Sequence, residues 1–262
     1  MATLPSNPLG AVGAGTIGFL SEIGRIATFA GRGAMHAFAP PIFLRELMKQ
    51  LLRIGYASIP VVGLTAVFTG AALALNIYTG GERSGVESFL PQIVGVAITR
   101  ELGPVLAALM LAGRVSAAIA AEIGTMRVTE QVDALTTLSV NPFKYLIGPR
   151  LAAATFTLPL LVGLADIIGI MGGWLVSVYA LDFNGSIYIT NVVDFVTFDD
   201  VFTGLIKAAV FGFLLALMGC YHGYYSRGGA QGVGRSTTNA VVSAAILIFA
   251  SNYLLTTIFV EA

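Results

Sequence analysis

Hydrophobic positions gather into five long stretches of the chain, and polar or charged positions separate them. The stretches cover residues 54–78, 91–112, 151–181, 201–221 and 240–260. A helix needs about 20 residues to cross the roughly 30 Å hydrocarbon core of a bilayer, so each stretch is long enough to span a membrane. The pattern therefore predicts an all-α, polytopic membrane protein with five transmembrane helices, whose termini lie on opposite sides.

The third stretch is longer than a straight crossing requires. It tilts, extends beyond the lipid or is interrupted near Gly169, Gly172 and Gly173. Together with Gly163, these glycines permit a close helix crossing. A seam between two copies of the chain is one place where such a crossing could lie.

The first 53 residues have an amphipathic pattern instead. One arc of a helix carries Ser21, Glu22, Arg25, Thr28, Arg32 and His36, and the opposite arc carries Leu20, Ile23, Ala27 and Ala34. Pro40 and Pro41 end this helix, and a second one follows with Arg45, Lys49 and Arg53 on its polar face. We predict two interfacial helices in residues 1–53 and a five-helix domain in residues 54–262; packing of one N-terminal helix against another subunit is the alternative.

Composition excludes several classes of protein. Hydrophobic residues make up 56% of the chain and charged residues only 11%, less than half the roughly 25% of a soluble domain. The net charge is zero, which does not indicate a nucleic-acid partner. Cys220 is the only cysteine and there are two histidines. We therefore predict no intramolecular disulfide, no metal site and no cofactor.

Lysine and arginine indicate the orientation in the membrane. If the N-terminus is cytoplasmic, the inside segments carry 11 of the 14 cations, the outside segments carry Arg83, and Arg100 and Lys207 lie within spans. The inside cations are Arg25, Arg32, Arg45, Lys49, Arg53, Arg114, Arg127, Lys144, Arg150, Arg227 and Arg235. Because basic residues accumulate on the cytoplasmic side, we predict a cytoplasmic N-terminus.

The longest inside segment between spans covers residues 114–150. Within it, residues 122–135 have charged residues at helical spacing between apolar ones, together with a glycine that permits close approach. The residues of interest are Glu122, Gly124, Arg127, Glu130 and Asp133. This pattern predicts one short amphipathic helix that docks into a groove of a partner; a solvated connecting loop is the alternative.

Three polar residues fall at similar predicted depths inside the membrane. Counted from the outer ends of their spans, Glu101 lies about 15 Å deep, Lys207 about 9 Å and Asn252 about 12 Å. We predict an ion pair between Glu101 and Lys207 with Asn252 as a hydrogen-bonding neighbour, while Arg100 points elsewhere by one helical step. The group either locks three helices together or lines a lipid cavity in which Arg100 meets a lipid phosphate.

Two further features are weaker indications of chemistry. Asp166 lies in the middle of the third span, where a buried side chain hydrogen-bonded to a neighbour is expected.

Residues 229–236 fit the phosphate-binding pattern G-x-x-x-x-G-K-[ST] except that Arg235 replaces lysine. About 17 residues between two spans leave no room for a nucleotide domain, so we interpret this stretch as a flexible turn and expect ATP hydrolysis from another polypeptide.

The longest and most specific motifs lie in residues 100–114, RELGPVLAALMLAGR, and in residues 120–135, AAEIGTMRVTEQVDAL. These motifs strongly resemble the MlaE/YrbE family of ABC-transporter permeases. The resemblance continues through residues 141–143, 149–151 and 232–238, and covers nearly the whole chain after about residue 45. Related members often have aspartate at the position of Asn252.

The resemblance implies a homodimeric permease of the bacterial inner membrane that moves phospholipids between the inner and outer membranes. It implies a cytoplasmic ABC ATPase as motor, with residues 122–135 as the helix that the ATPase receives, and a periplasmic MCE-domain protein as a second partner. The C-terminus would then be periplasmic. Arg100 and Glu101 belong to the family motif.

Two other classes of function stay open on the residues alone. A secondary transporter would use Glu101 and Asp166 to carry protons. A non-transporting scaffold that assembles a periplasmic complex predicts that charge reversal at Glu122 or Glu130 leaves transport intact.

Overall fold

The computed structural model describes residues 8–38, 43–81 and 89–261, and these ranges contain helices and no strand. Pro40, Pro41 and Arg83 lie outside them. The helices are α1 (Pro8–Phe38), α2 (Leu44–Ile54), α3 (Ile59–Gly81), α4 (Leu90–Ala97), α5 (Gly103–Leu111), α6 (Ala117–Val128), α7 (Gln131–Thr137), α8 (Gly148–Ala180), α9 (Gly185–Phe195), α10 (Phe198–Tyr224) and α11 (Gly229–Glu261). Short π-helical turns join several of them, at Ile98–Leu102, Ala112–Ser116 and Phe143–Ile147.

Five helical segments are long and apolar enough to cross a membrane, which confirms the predicted number. They cover Leu44–Gly81, Leu90–Val128, Phe143–Ala180, Phe198–Tyr224 and Gly229–Phe259. Each is longer than its apolar stretch, because a helix continues through polar residues once it leaves the lipid. The 39-residue segment Leu90–Val128 would reach about 58 Å, nearly twice the hydrocarbon thickness.

Helix α8 is the centre of the bundle. Helix α3 packs along one side of it and α10 along another, and α11 packs against α10 and α6. The core between these helices is apolar, and its largest buried side chains include Leu111, Ile123, Leu151, Leu158, Phe211, Leu215 and Met218.

The glycines of α8 form a close crossing with α3 of the same chain. A methyl group on Gly70 would overlap the carbonyl oxygen of Gly169, and one on Gly172 would overlap the carbonyl oxygen of Val67. Backbones that approach this closely require glycine at the contact. The predicted close crossing is present. Gly169 and Gly172 face α3 of the same chain, so the seam between two copies, one possible place for the crossing, is not where these two glycines lie. Gly163 lies instead beside Leu205 of α10.

Helix α1 packs against the bundle through a face that the amphipathic pattern did not indicate. Phe29 is buried against the core, and the Tyr221 hydroxyl donates to Glu22 Oε1 at 2.5 Å. The exposed face instead carries Ile17, Leu20, Ile23 and Met35. The polar arc thus contributes to the contact with α10, and the apolar arc is available to lipid.

The stretch that resembles a phosphate-binding loop is helical. Residues 229–236 form the first two turns of α11, and only residues 225–228 separate α10 from α11. Gly228 and Gly229 have φ of 89° and 66°, a backbone conformation that favours glycine. The interpretation of residues 229–236 as a flexible turn was therefore wrong; the turn itself is shorter and lies just before them.

The predicted single helix over residues 122–135 is also wrong. Helix α6 ends at Val128 and α7 begins at Gln131. Between them Glu130 has φ of 61°, which no helix can continue through. Glu122, Gly124 and Arg127 therefore belong to the last turns of a helix that starts in the membrane, and Asp133 belongs to a separate short helix.

Candidate functional site

The structure brings Glu101, Lys207 and Asn252 together in one polar group between the second, fourth and fifth spans. Lys207 Nζ lies 2.7 Å from Glu101 Oε1, and Asn252 Nδ2 donates to Glu101 Oε2 at 3.1 Å. The Lys207 side chain is 0% exposed, whereas that of Glu101 is 35% exposed. The Lys207 ammonium is therefore shielded inside the bundle, and the Glu101 carboxylate lies at the exposed side of the group.

A proline explains why a lysine fits at this point. In an α-helix the N–H of residue 104 would bond to the carbonyl of Arg100, but Pro104 has no N–H. Lys207 Nζ donates to that carbonyl oxygen at 3.1 Å. The π-helical turn Ile98–Leu102 lies at the same place, and Gly204 lets α10 approach it, since a methyl group there would overlap the carbonyl oxygen of Thr99.

Thr256 completes the group, and the sequence reasoning missed it. Its hydroxyl accepts from Lys207 Nζ at 2.9 Å and lies 3.1 Å from Glu101 Oε1. With Arg100 O, Glu101 and Thr256 as acceptors, all three ammonium hydrogens of Lys207 have partners. Thr256 follows Asn252 by four residues, so helical spacing alone places both on one face; a search for polar neighbours of Asn252 would have found it.

Arg100 points away from this group, as the helical step predicts, toward an acidic partner at the start of α10. Arg100 Nη1 lies 3.6 Å from Asp200 Oδ1. The other oxygen, Asp200 Oδ2, accepts from the N–H and the hydroxyl of Thr197 in a capping box. Arg100 remains 34% exposed, so its guanidinium has hydrogens available to a further anion.

A second charged group lies at the opposite end of the bundle, around Glu122. Glu122 Oε2 lies 2.7 Å from Arg53 Nη1 and 3.3 Å from Arg150 Nη2. Arg150 is buried and also donates to the carbonyl oxygen of Leu146 at 2.6 Å. Glu122 therefore ties α2 and α8 to α6, and this residue stabilises the bundle from within.

The other residues of the predicted docking segment divide between packing and exposure. Gly124 lies against the start of α11, where a methyl group would meet Ser226 and Val233 at 3.4 Å. Arg127 Nη1 bonds to Asp133 Oδ1 at 2.5 Å, and its guanidinium lies 5.6 Å from the ring centre of Tyr224. Arg127 thus connects α7 to the end of α10.

Glu130 and most of α7 are exposed. Val132 is the buried residue of α7, and the side chains on either side of it are open. Glu130 forms no ion pair within the described part of the chain. Within the described residues, the turn at Glu130 and α7 are the most exposed part of the predicted docking segment, whereas Gly124 is buried and the Glu122 side chain is 36% exposed.

Asp166 is buried where α8 passes the second span. Its Oδ1 contacts Gly103 so closely that a methyl group there would overlap it, and Oδ1 has no hydrogen-bond partner within residues 8–38, 43–81 and 89–261. The hydrogen bond expected from the sequence is therefore not formed by this oxygen.

Comparison with known proteins agrees with this architecture. The family model described as Permease MlaE matches residues 47–258. A probable ABC transporter permease protein of Rickettsia felis is 53% identical, covering 97% of this chain and 98% of the relative. A probable ABC transporter permease protein of Synechocystis is 40% identical over 86% of each chain.

A more distant relative has a more specific name. The intermembrane phospholipid transport system permease protein MlaE of Haemophilus influenzae is 32% identical, and the match covers 98% of both chains. As a permease subunit with five spans, the chain is a multi-pass membrane protein, and an ABC transporter permease works with an ATPase. The five-helix fold and these matches over nearly the full length show that the chain belongs to the MlaE permease family.

Proposed function

We propose that this chain forms the transmembrane part of a transporter that moves phospholipids between the inner and outer membranes of a bacterium. The single observation that carries the proposal is the ion pair between the buried Lys207 and the partly exposed Glu101, with Arg100 beside it. All three residues lie within the range that the family model matches, and Arg100 and Glu101 belong to the motif that resembles the family. The name of the Haemophilus influenzae relative supports phospholipid as the substrate.

The polar group has the properties that a phospholipid path requires. Lys207 and Glu101 neutralise each other, so the group adds little net charge to the apolar bundle. Arg100 is partly exposed beside it, and a planar guanidinium binds phosphate through two parallel hydrogen bonds. In this proposal Arg100 exchanges Asp200 for the lipid phosphate, while apolar walls accept acyl chains with little selectivity.

The transporter would be a homodimer whose two copies meet along α11. This helix has an apolar face that no residue in the ranges 8–38, 43–81 and 89–261 covers, and the face includes Val242, Ile246, Phe249, Tyr253 and Leu254. Asn252 and Thr256 lie on the same helix but contact Glu101. Two facing copies of α11 would therefore place both polar groups beside one central cavity.

The energy would come from a separate cytoplasmic ATPase, and the chain would have no ATPase site of its own. The exposed turn at Glu130 and α7 form the surface for this partner, and the Arg127 contacts with Asp133 and Tyr224 would pass its motion to α10. Because α10 carries Lys207, a rigid-body shift of that helix would change the lipid cavity.

The distribution of lysine and arginine supports the proposed orientation. With the N-terminus in the cytoplasm, the Glu122 group and α7 face the ATPase, and the C-terminal end of α11 faces the periplasm. A periplasmic MCE-domain protein would receive or deliver the lipid there, as the family resemblance implies.

Reconstitution into vesicles tests the proposal. The chain together with its ATPase should move a fluorescent phospholipid in an ATP-dependent way, and Arg100→Gln should slow this movement about tenfold. A matched control is Arg45→Gln, which removes an arginine far from the polar group. Lipid movement by the chain alone, driven by a proton gradient, would instead support a secondary transporter.

A further inference from the structure

A cleft between α2 and α6 lies at the same end of the bundle as the Glu122 group. It is lined by Gln50, Arg53, Arg114, Ala118 and Glu122, together with apolar side chains. This inner cleft is separate from the Glu101–Lys207 group, which lies near the other end of the second span.

The charges around the inner cleft do not balance. Arg53 and Arg150 share the single carboxylate of Glu122. Arg114 donates to the hydroxyl of Ser58 and forms no ion pair with any residue that the structure describes. Arg53 and Arg114 line the cleft, and the buried Arg150 contacts Glu122 beside it, so three guanidinium groups are matched by one carboxylate. A partly buried arginine without an anionic partner is costly, so the cleft has an excess of positive charge that a bound anion would neutralise.

The position of the cleft selects the kind of anion. Ser58, the partner of Arg114, lies in the turn just before α3, where the first apolar span begins. The neighbouring surface exposes Leu52 of α2 and Tyr56 of the turn that follows it. The arginines therefore lie at the level where lipid headgroups meet acyl chains, and the apolar surface beside them suits a lipid rather than a free ion.

We infer that the inner cleft binds the phosphate of an anionic phospholipid, one without a cationic group on its headgroup, from the membrane leaflet at this end of the bundle. Arg114 and Arg53 hold the phosphate oxygens through charge-assisted hydrogen bonds. The proposed orientation decides only which leaflet supplies the lipid, and in that orientation it is the cytoplasmic leaflet.

The test uses the full-length chain in neutral detergent with native mass spectrometry. The background variant is Arg100→Gln, so that the outer polar group offers no free guanidinium. We expect dioctanoyl phosphatidylglycerol to bind, and dioctanoylglycerol, which lacks the phosphate, to bind much less. Arg114→Gln should weaken phosphatidylglycerol binding about tenfold, because it removes the guanidinium charge.

A second variant guards against misfolding of the first. Ala118→Glu places a carboxylate at an exposed position of the cleft, and it should weaken binding by a similar factor. The matched controls are Arg45→Gln, which removes an exposed arginine of α2 outside the cleft, and Thr125→Glu, which adds a carboxylate two turns further along α6. Both should bind phosphatidylglycerol like the background.

Three outcomes would overturn the inference: equal binding by Arg114→Gln and Ala118→Glu, equal binding of dioctanoylglycerol, or complete displacement of the lipid by excess inorganic phosphate, which would make free phosphate the ligand. The experiment contains no ATPase and no nucleotide. A negative result would therefore leave the proposed transport function to stand or fall on the vesicle experiment.

Discussion

Lys207 Nζ lies 2.7 Å from Glu101 Oε1, although Lys207 is wholly enclosed by the bundle and Glu101 is about one-third exposed. The two charges therefore depend on each other unequally. Without its carboxylate, the ammonium has no route to solvent, whereas the carboxylate without the ammonium retains Asn252 and Thr256 and an open side.

This inequality predicts the result of a double-mutant cycle. Glu101→Gln leaves a buried ammonium uncompensated and should destabilise the protein by about 3 kcal/mol. Lys207→Met, which preserves volume, should cost less, and the double variant should be more stable than Glu101→Gln alone. Unfolding in detergent followed by circular dichroism measures the four free energies. Simple additivity would show that the pair does not interact.

Charge reversal at two glutamates should separate stability from coupling to the ATPase. Glu130→Lys changes an exposed turn, so we expect a change in unfolding free energy within about 0.5 kcal/mol and a loss of ATP-driven lipid movement. Glu122→Lys removes the partner of Arg53 and the buried Arg150, so it should destabilise by about 3 kcal/mol or more.

The measurements are ATPase rate, lipid transfer in vesicles and thermal unfolding of each variant. Asp133→Lys is a further test of the same surface. It breaks the bond to Arg127 and should also uncouple ATP hydrolysis from lipid movement. Normal lipid transfer by a folded Glu130→Lys protein would contradict the docking surface that we propose.

The crossing of α3 and α8 should be sensitive to a single methyl group. Gly70→Ala would force the two backbones apart and should cost at least about 2 kcal/mol. Gly63→Ala is the matched control on the same helix: its methyl group would meet only Ile168 Cδ1 at 3.4 Å, and alanine favours a helix by about 1 kcal/mol over glycine. Equal unfolding temperatures for the two variants would refute this packing.

Tyr188 in α9 should make stability depend on alkaline pH. Its buried hydroxyl has no hydrogen-bond partner in the described ranges, and burial raises the pKa of Tyr188 above the ordinary 10.0. The folded state thus favours the neutral phenol, so this contribution to stability is complete below about pH 10 and is lost as the pH rises further.

The matching substitution is Tyr188→Phe, which removes the unpaired hydroxyl. We expect it to stabilise the protein by about 1 kcal/mol at neutral pH and to reduce the loss of stability above pH 10. Unfolding temperatures of both proteins from pH 8 to pH 11 provide the comparison. A lower stability of Tyr188→Phe at neutral pH would mean that the hydroxyl has a partner.

The polar group was predictable to the extent that depth can be counted along a helix. Glu101, Lys207 and Asn252 share a level because each lies a similar rise from the end of its own span. Thr256 was missed because threonine is common in membrane helices and carries no charge that marks it. Because Pro104 has no N–H to donate to it, the carbonyl of Arg100 accepts a hydrogen bond from Lys207. This relation is visible only when both helices are in place.

The helical character of the predicted docking segment could be read from the sequence, but the break within it could not. The pattern of residues 122–135 is helical throughout, and one residue, Glu130, breaks it by adopting a left-handed conformation. Glutamate gives no local signal for such a conformation. The same limit applies to the glycines of α8, since their spacing indicates a close crossing without identifying the helix that crosses.

The sequence by itself determined the five spans, the all-α fold and the family, because the length of an apolar stretch and the residues of a motif are local properties of the chain. Only the tertiary structure decided which residues meet: Lys207 with a residue 106 positions away, Glu122 with both Arg53 and Arg150, and Gly70 with Gly169. These contacts depend on how each helix is rotated about its axis, and that rotation follows from packing against neighbours and not from any one segment.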